Sequence, residues 1–259
     1  MFFMFRISPD PRLAALRAQV ARLERFSPRD PAAVLRFGLA PLDRHLPGGG
    51  LARGALHEVA GAAAALFVAG LLARAPGPVL WVLERADLFA PGLAAVGLAP
   101  DRVIYAEAGR AETVLAALEE GLRHPGLLAG VGEISGRLSL TATRRLHLAA
   151  EASGVTGFVL RRPWRAGEAA LAEPTAALTS WRVGALPSAP PFADAPDVPD
   201  VPGLGRARWR LDLLRARGAA PASFVVEACD AKGRLRLVAV LADGPAGADP
   251  VPAPGRAAG

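Results

Sequence analysis

Short apolar runs alternate with helix-length segments through the middle of this chain, and that alternation constrains its fold more than any other feature. A glycine-rich turn leads into a short strand near residues 55–60, and Ala62–Ala75 follows as an alanine-rich apolar helix. Val79–Glu84 is a continuous apolar run ending in a charge, which suits a strand buried on both faces. Pro91–Gly97 reads as a short helix, Arg102–Tyr105 as a strand, and Glu112–Leu122 as a helix. Leu127–Ile134 is a further strand, Ser139–Ala152 a helix opened by Ser/Thr caps, and Val155–Leu160 a strand again. Strands and helices in this order predict an α/β fold, with a mostly parallel central sheet and helices on its faces.

The pattern changes from Leu178. Ala207–Leu214, Ser223–Cys229 and Arg234–Leu241 read as strands with no helix between them, and Asp230-Ala231-Lys232-Gly233 makes a hairpin turn. The sheet should therefore continue antiparallel on its C-terminal side. Pro187, Pro190, Pro191, Pro196, Pro199 and Pro202 exclude a helix or central strand, so a surface loop is expected there. Near the start, residues 11–26 read as a helix with Leu13, Leu16, Val20 and Leu23 on one stripe, ended by Pro28 and Pro31. That stripe must dock on its own domain or on a neighbouring subunit, which makes those four side chains candidate interaction residues. The organisation expected is an N-terminal helix and linker (1–34), a core (35–183), a Pro-rich loop (184–205), antiparallel strands completing the sheet (206–243) and a disordered tail (244–259).

Hydrophobic residues make up 52% of the chain, enough for a sizeable core. The net charge of +6 is carried almost wholly by arginine, Lys232 being the only lysine. Such a balance fits a chain of biased composition, or acidic partners such as nucleic acid or another protein. Cys229 is the only cysteine, which excludes an internal disulfide and suits a reducing compartment. Met1–Phe5 is too short for a secretory apolar region, and Val59–Ala73 falls short of the ~20 residues a spanning helix needs. A soluble cytoplasmic protein with no membrane contact is expected.

Phe37-Gly38-Leu39-Ala40-Pro41-Leu42-Asp43, then Gly48-Gly49-Gly50-Leu51 and Gly54, is similar to the segment by which RecA-family proteins enter their ATPase core. Val79–Glu84, Pro91–Leu98 and Val103-Ile104 run in the same order as the next RecA core elements. Arg208–Gly218, with Arg234-Leu235 and Leu241-Ala242-Asp243, resembles the ending of the ImuA family, RecA-like proteins of bacterial damage-induced mutagenesis. The resemblance spans about 35–243 and is specific in combination rather than in any one piece. It implies a RecA-like core.

The chain departs from RecA at the phosphate loop. A Walker A loop needs glycines that let backbone N–H groups wrap the phosphates, a Lys for the β/γ-phosphates and a Ser/Thr for magnesium. Here Gly61 could start the loop, but four alanines follow, and Leu66, Phe67 and Val68 stand in the Gly-Lys-Ser/Thr places. Arg85 falls where RecA has its catalytic acid, with Glu84 one residue away. Glu133 closes a strand near a Walker B position and is expected in solvent or in an ion pair. ATP hydrolysis, and any enzymatic role, is not expected, and no cofactor is implied. His45, His57, His124 and His147 are scattered, without metal-ligand spacing, and no Gly-x-Ser-x-Gly elbow occurs.

The basic clusters are the remaining candidates for contact with DNA or a protein partner. Strand alternation puts Arg206, Arg208 and Arg210 on one face, opposite Trp209, Leu211 and Leu213. Arg161, Arg162 and Arg165 gather with Trp164 past the strand ending at Leu160, and Arg144 and Arg145 lie on the preceding helix. Strand C-terminal ends are where open α/β sheets bind ligands, although a solvated basic edge would look the same. The ImuA resemblance implies an accessory factor of SOS mutagenesis, working with RecA, with an inactive Y-family polymerase-like protein of the ImuB type and, indirectly, with an error-prone replicative-type DNA polymerase. The alternative is a division inhibitor resembling SulA, also RecA-like without a phosphate loop, which would bind a tubulin-like division protein.

Overall fold

Six parallel strands, five of them from the apolar runs, share one sheet with three antiparallel ones. The computed structural model describes residues 33–162, 173–190 and 203–241. The helix expected over 11–26, with Leu13, Leu16, Val20 and Leu23, lies outside the described residues, as do Trp164, Arg165 and the tail 244–259. The strands are β1 (Val34–Leu35), β2 (Leu51–Ala52), β3 (Leu56–Ala60), β4 (Val79–Leu83), β5 (Val103–Glu107), β6 (Ala129–Ser135), β7 (Thr156–Arg162), β8 (Thr179–Leu186), β9 (Arg208–Ala216), β10 (Ala222–Glu227) and β11 (Arg236–Leu241). β1 and β2 form a small antiparallel pair. The others form one sheet in the order β11-β10-β9-β8-β3-β7-β6-β4-β5. From β5 to β8 neighbours run parallel, and from β8 to β11 they run antiparallel. Placing β3 centrally, with β7 and β8 beside it, creates the switch point at which such sheets hold ligands.

The helices are α1 (Ala40–His45), α2 (Ala64–Ala73), α3 (Ala90–Ala95), α4 (Ala111–Leu122) and α5 (Leu140–Ser153). Alternate strand residues point to opposite faces, and both faces are covered. On one, Val59, Trp81, Val131 and Phe158 pack with Phe67, Leu71 and Leu93 of α2 and α3. On the other, Leu56, Val82, Ile134 and Val159 pack with Val114 and Leu118 of α4 and Leu146 of α5. Ser139 caps α5, its Oγ accepting from the Ala142 N–H at 3.1 Å. No helix among the described residues is long and apolar enough to cross a membrane.

The alternation of apolar runs gives no sign of β8, because Thr179, Ser180, Arg182 and Gly184 dilute it. Thr179 and Ser180 are satisfied by tertiary partners, His57 for the first and Glu58 and Arg215 for the second. The strand continues to Leu186, so the Pro-rich loop starts at Pro187 rather than at Gly184. Asp43 explains the motif at the start of the core. Its buried carboxylate accepts the N–H groups of Phe37 (2.7 Å) and Gly38 (2.9 Å), fixing the turn that delivers Phe37 to the core.

A buried polar chain ties β8 to β3. Trp181 Nε1–H donates to Thr179 Oγ1 (2.9 Å), the Thr179 hydroxyl donates to His57 Nδ1 (2.8 Å), and His57 Nε2–H donates to the Ala52 carbonyl (2.9 Å). The acceptor-only carbonyl fixes the neutral tautomer. Burial lowers the His57 pKa from 6.5 to about 4. The unfolded chain therefore binds a proton between these values that the folded chain refuses, so this stability is full above 6.5 and lost as pH falls toward about 4. The loss should approach roughly 3 kcal/mol. Burial raises the pKa of Glu58 and Glu133, which act in the opposite sense. Urea titrations of wild type and His57→Gln across this range isolate the effect, and equal pH slopes in the two proteins would refute it.

Candidate functional site

The turn between β3 and α2 is where a RecA-like protein would hold phosphate, and here it spans only Gly61, Ala62 and Ala63. Gly61 has φ +112°, and a Cβ there would lie 2.2 Å from the Val183 carbonyl oxygen of β8. Only glycine permits that approach. Two of the nearby N–H groups already have acceptors, Ala63 on Val183 O (3.4 Å) and Ala64 on Gly61 O (3.1 Å). The turn is pressed onto β8 instead of wrapping a ligand.

Leu66, Phe67 and Val68 lie inside α2 rather than on a loop. Phe67 is 1% exposed and points into an aromatic cluster, with ring centroids 5.7 Å from Phe37, 6.1 Å from Trp181 and 6.5 Å from Trp209. Val68 is fully buried. The position that would carry a phosphate-binding lysine therefore fills the core. Gly70, one turn on, leaves room for Cys229 Sγ, and burial pushes that thiol up to about 12. Cys229 packs as an inert small side chain.

Two carboxylates stand on the parallel strands near this switch point, and each meets an arginine of β7. Successive residues of β7 face opposite ways, so Arg161 and Arg162 serve different faces. Arg161 is buried against Glu58 of β3, its Nε 3.8 Å from Glu58 Oε1, and it donates to the Gly136 carbonyl (2.7 Å). Glu58 also accepts from Thr175 (2.9 Å) and Ser180 (3.4 Å), and burial raises its pKa. Arg162 forks onto Asp87 (2.6 and 2.9 Å) and lies 3.6 Å from Glu133. That fork holds the Asp87 carboxyl below its ordinary pKa.

Glu133 takes the ion-pair alternative, 3.6 Å from Arg162, and it is buried rather than in solvent. It accepts Trp81 Nε1–H at 2.8 Å, and burial raises its pKa. Glu84, beside exposed Arg85, accepts the Ser135 N–H at 2.7 Å. Both strand-end acids of the region where RecA has its catalytic groups are thus engaged with the protein itself. Sequence reasoning missed Glu58, Thr175 and Arg215, which meet only in three dimensions; Arg215 donates to both Thr175 and Ser180.

The other arginines divide by position. Arg144 is exposed on α5, while Arg145 pairs with Glu119 of α4 at 2.6 Å. Arg206 reaches the Arg234 carbonyl (2.8 Å) and Glu227 (3.6 Å), and Arg210 pairs with Asp212 (3.0 Å). Arg208 stands with Arg210 on the face of β9 opposite buried Trp209, Leu211 and Leu213. Arg161 is sealed in the core, so it cannot serve as a surface contact for DNA or a partner without the strand ends opening. Among the described residues, no group of three or more His, Cys, Asp or Glu could hold a metal ion.

Strand order, central β3 and the helix after its turn define a RecA-like α/β protein whose phosphate turn is closed. The fold is similar to that of a RadB recombinase, with a TM-score of 0.53 and 17% identity over 79% of this chain and all of that one. The chain belongs to the ImuA family: it is 41% identical to Protein ImuA of Caulobacter vibrioides, in strains NA1000 / CB15N and ATCC 19089 / CB 15, over 234 residues. That match covers 83% of this chain and 93% of the relative. No family model matches the chain.

Proposed function

We propose that this chain is a non-catalytic, RecA-shaped accessory protein of SOS-induced translesion synthesis and mutagenesis in the cytoplasm. It acts by protein contacts, with RecA and with a Y-family polymerase-like partner of the ImuB type, and reaches an error-prone replicative-type polymerase indirectly. Membership of the ImuA family supports the pathway. The observation that carries the non-catalytic part is Phe67, buried where a phosphate-binding lysine would stand, behind a three-residue turn pressed onto β8. A backbone donor already bonded to a carbonyl cannot also cradle a phosphate. Contact without nucleotide is constitutive, so its regulation comes from the protein's abundance rather than from a hydrolysis cycle. The division-inhibitor reading has no specific observation in its favour.

The purified protein should show no ATP turnover above buffer with magnesium, with or without single-stranded DNA. It should nevertheless bind RecA filaments or the polymerase-like partner in sedimentation assays. DNA-stimulated hydrolysis that tracks the protein through purification would overturn the non-catalytic reading. Failure to bind either protein would overturn the adaptor reading.

A further inference from the structure

The antiparallel extension presents one face to the core and another to the outside. Trp181, Trp209, Leu211 and Phe224 bury one face. Register puts Arg208 beside Glu227 and Glu227 beside Arg236, while Arg182 stands beside Asp212 and Arg210 beside Val225, all on the opposite face. Arg206, just before β9, reaches Glu227 on the same side.

The charges on this face are layered. The Asp212 and Glu227 side chains are only 6% and 9% exposed. Asp212 is taken by Arg210 and Ser223, and Glu227 by Arg236 and Arg206. The Arg236 and Arg206 side chains, in contrast, are 60% and 34% exposed. Arg182 and Arg208 meet no carboxylate at ion-pair distance among the described residues, and the buried Nε of Arg208 has no acceptor. Guanidinium groups therefore outnumber the carboxylates and form the outer layer. Register sets no two of these arginines directly opposite each other, but the surplus of guanidinium groups over carboxylates leaves positive charge that an acidic ligand would offset.

Two further features choose the ligand. The aromatic rings of β9 and β10, Trp209 and Phe224, point to the core side, so these two strands offer no ring on this face on which bases could stack. Among the described residues β11 is an outer strand of the sheet, and Val240, opposite Phe224 on the reverse face, is exposed. An outer strand offers unpaired backbone groups to an added strand.

We propose that the β11 edge and its arginine face receive an extended segment of a protein partner that alternates acidic and apolar residues. The segment adds a strand beside β11, its carboxylates toward Arg236 and the neighbouring arginines, its apolar side chains beside Val240. This deepens the adaptor reading, on which it rests, by naming the surface and the chemistry of the partner. Its test is independent of ATP turnover and of RecA binding.

The full-length protein is titrated into a labelled peptide of alternating Glu and Val, a Gln/Val counterpart, and an oligothymidine of equal charge, each followed by fluorescence anisotropy. The Glu/Val peptide should bind, more weakly as salt rises. The Arg208→Glu/Arg236→Glu variant should lose about tenfold or more in affinity, and Arg208→Gln/Arg236→Gln several-fold, with circular dichroism unchanged for the milder pair. The Gln/Val peptide should bind far less. Equal binding of the Gln/Val peptide, or arginine variants that bind as wild type does, would overturn the proposal. So would absence of peptide binding, or oligothymidine binding more tightly than the peptide and lost in the same variants, which would assign the face to nucleic acid instead.

Discussion

Replacing Phe67 by Lys and Val68 by Thr should destabilise this protein by at least about 4 kcal/mol and confer no nucleotide binding. The exchange restores the residue types that a phosphate loop requires, yet the places they enter are not on a loop. Phe67 is in contact with Phe37, Trp181 and Trp209, so its removal empties an aromatic site and costs about 3–5 kcal/mol by itself. The lysine adds a charge with no carboxylate in that cluster, and the threonine adds a hydroxyl where Val68 is fully buried. Against a total stability of about 5–15 kcal/mol, that loss brings the protein near unfolding.

Phe67→Leu keeps an apolar side chain and should cost about half as much or less. Urea denaturation followed by tryptophan fluorescence gives the stabilities, and a fluorescent ATP analogue with magnesium gives the binding. A double variant that keeps the wild-type midpoint and binds nucleotide would show that the turn opens on demand. The reading of a closed turn would then be wrong.

The second large effect belongs to Arg161. Arg161→Ala leaves Glu58 buried with Arg215 as its nearest remaining counter-charge, and it leaves the Gly136 carbonyl without this donor. Breaking a buried pair by removing one partner typically costs about 3–5 kcal/mol at neutral pH. The pH dependence carries the signature. The Glu58 pKa is already raised by burial, and loss of Arg161 raises it further. The folded variant therefore binds more protons than the unfolded chain above the ordinary glutamate pKa, so its stability increases as pH falls from neutral toward that value. Replacing both partners, Glu58→Gln with Arg161→Met, should recover much of the loss. A cost below about 1 kcal/mol for Arg161→Ala, or no recovery in the double variant, would sink the sealed-pair account.

The outcome for Arg161 separates what the chain spells out locally from what it does not. The mostly parallel sheet was legible because strands covered on both faces read as apolar runs, as Val79–Leu83 does, and alternate with helix-length segments. The missing lysine was legible as well, since a Walker loop is a contiguous string and Gly61 to Val68 lacks it. In β9, alternation separated Trp209, Leu211 and Leu213 from Arg206, Arg208 and Arg210, because an antiparallel strand with one covered face carries a period of two.

Tertiary structure decided the rest. β8 has a mixed sequence, and its Thr179 and Ser180 are accommodated in a strand because His57 and Glu58 of β3 supply their partners. Arg161 and Arg162 look alike in the chain. One is buried on Glu58 and the other forks onto Asp87 because successive residues of β7 point to opposite faces of the sheet, where different partners await them. Composition and local period set which backbone forms and where phosphate chemistry is missing. Whether a charge is buried or free depends on residues far away in the chain, since a carboxylate can offset the cost of burying an arginine only where the sheet brings the two together.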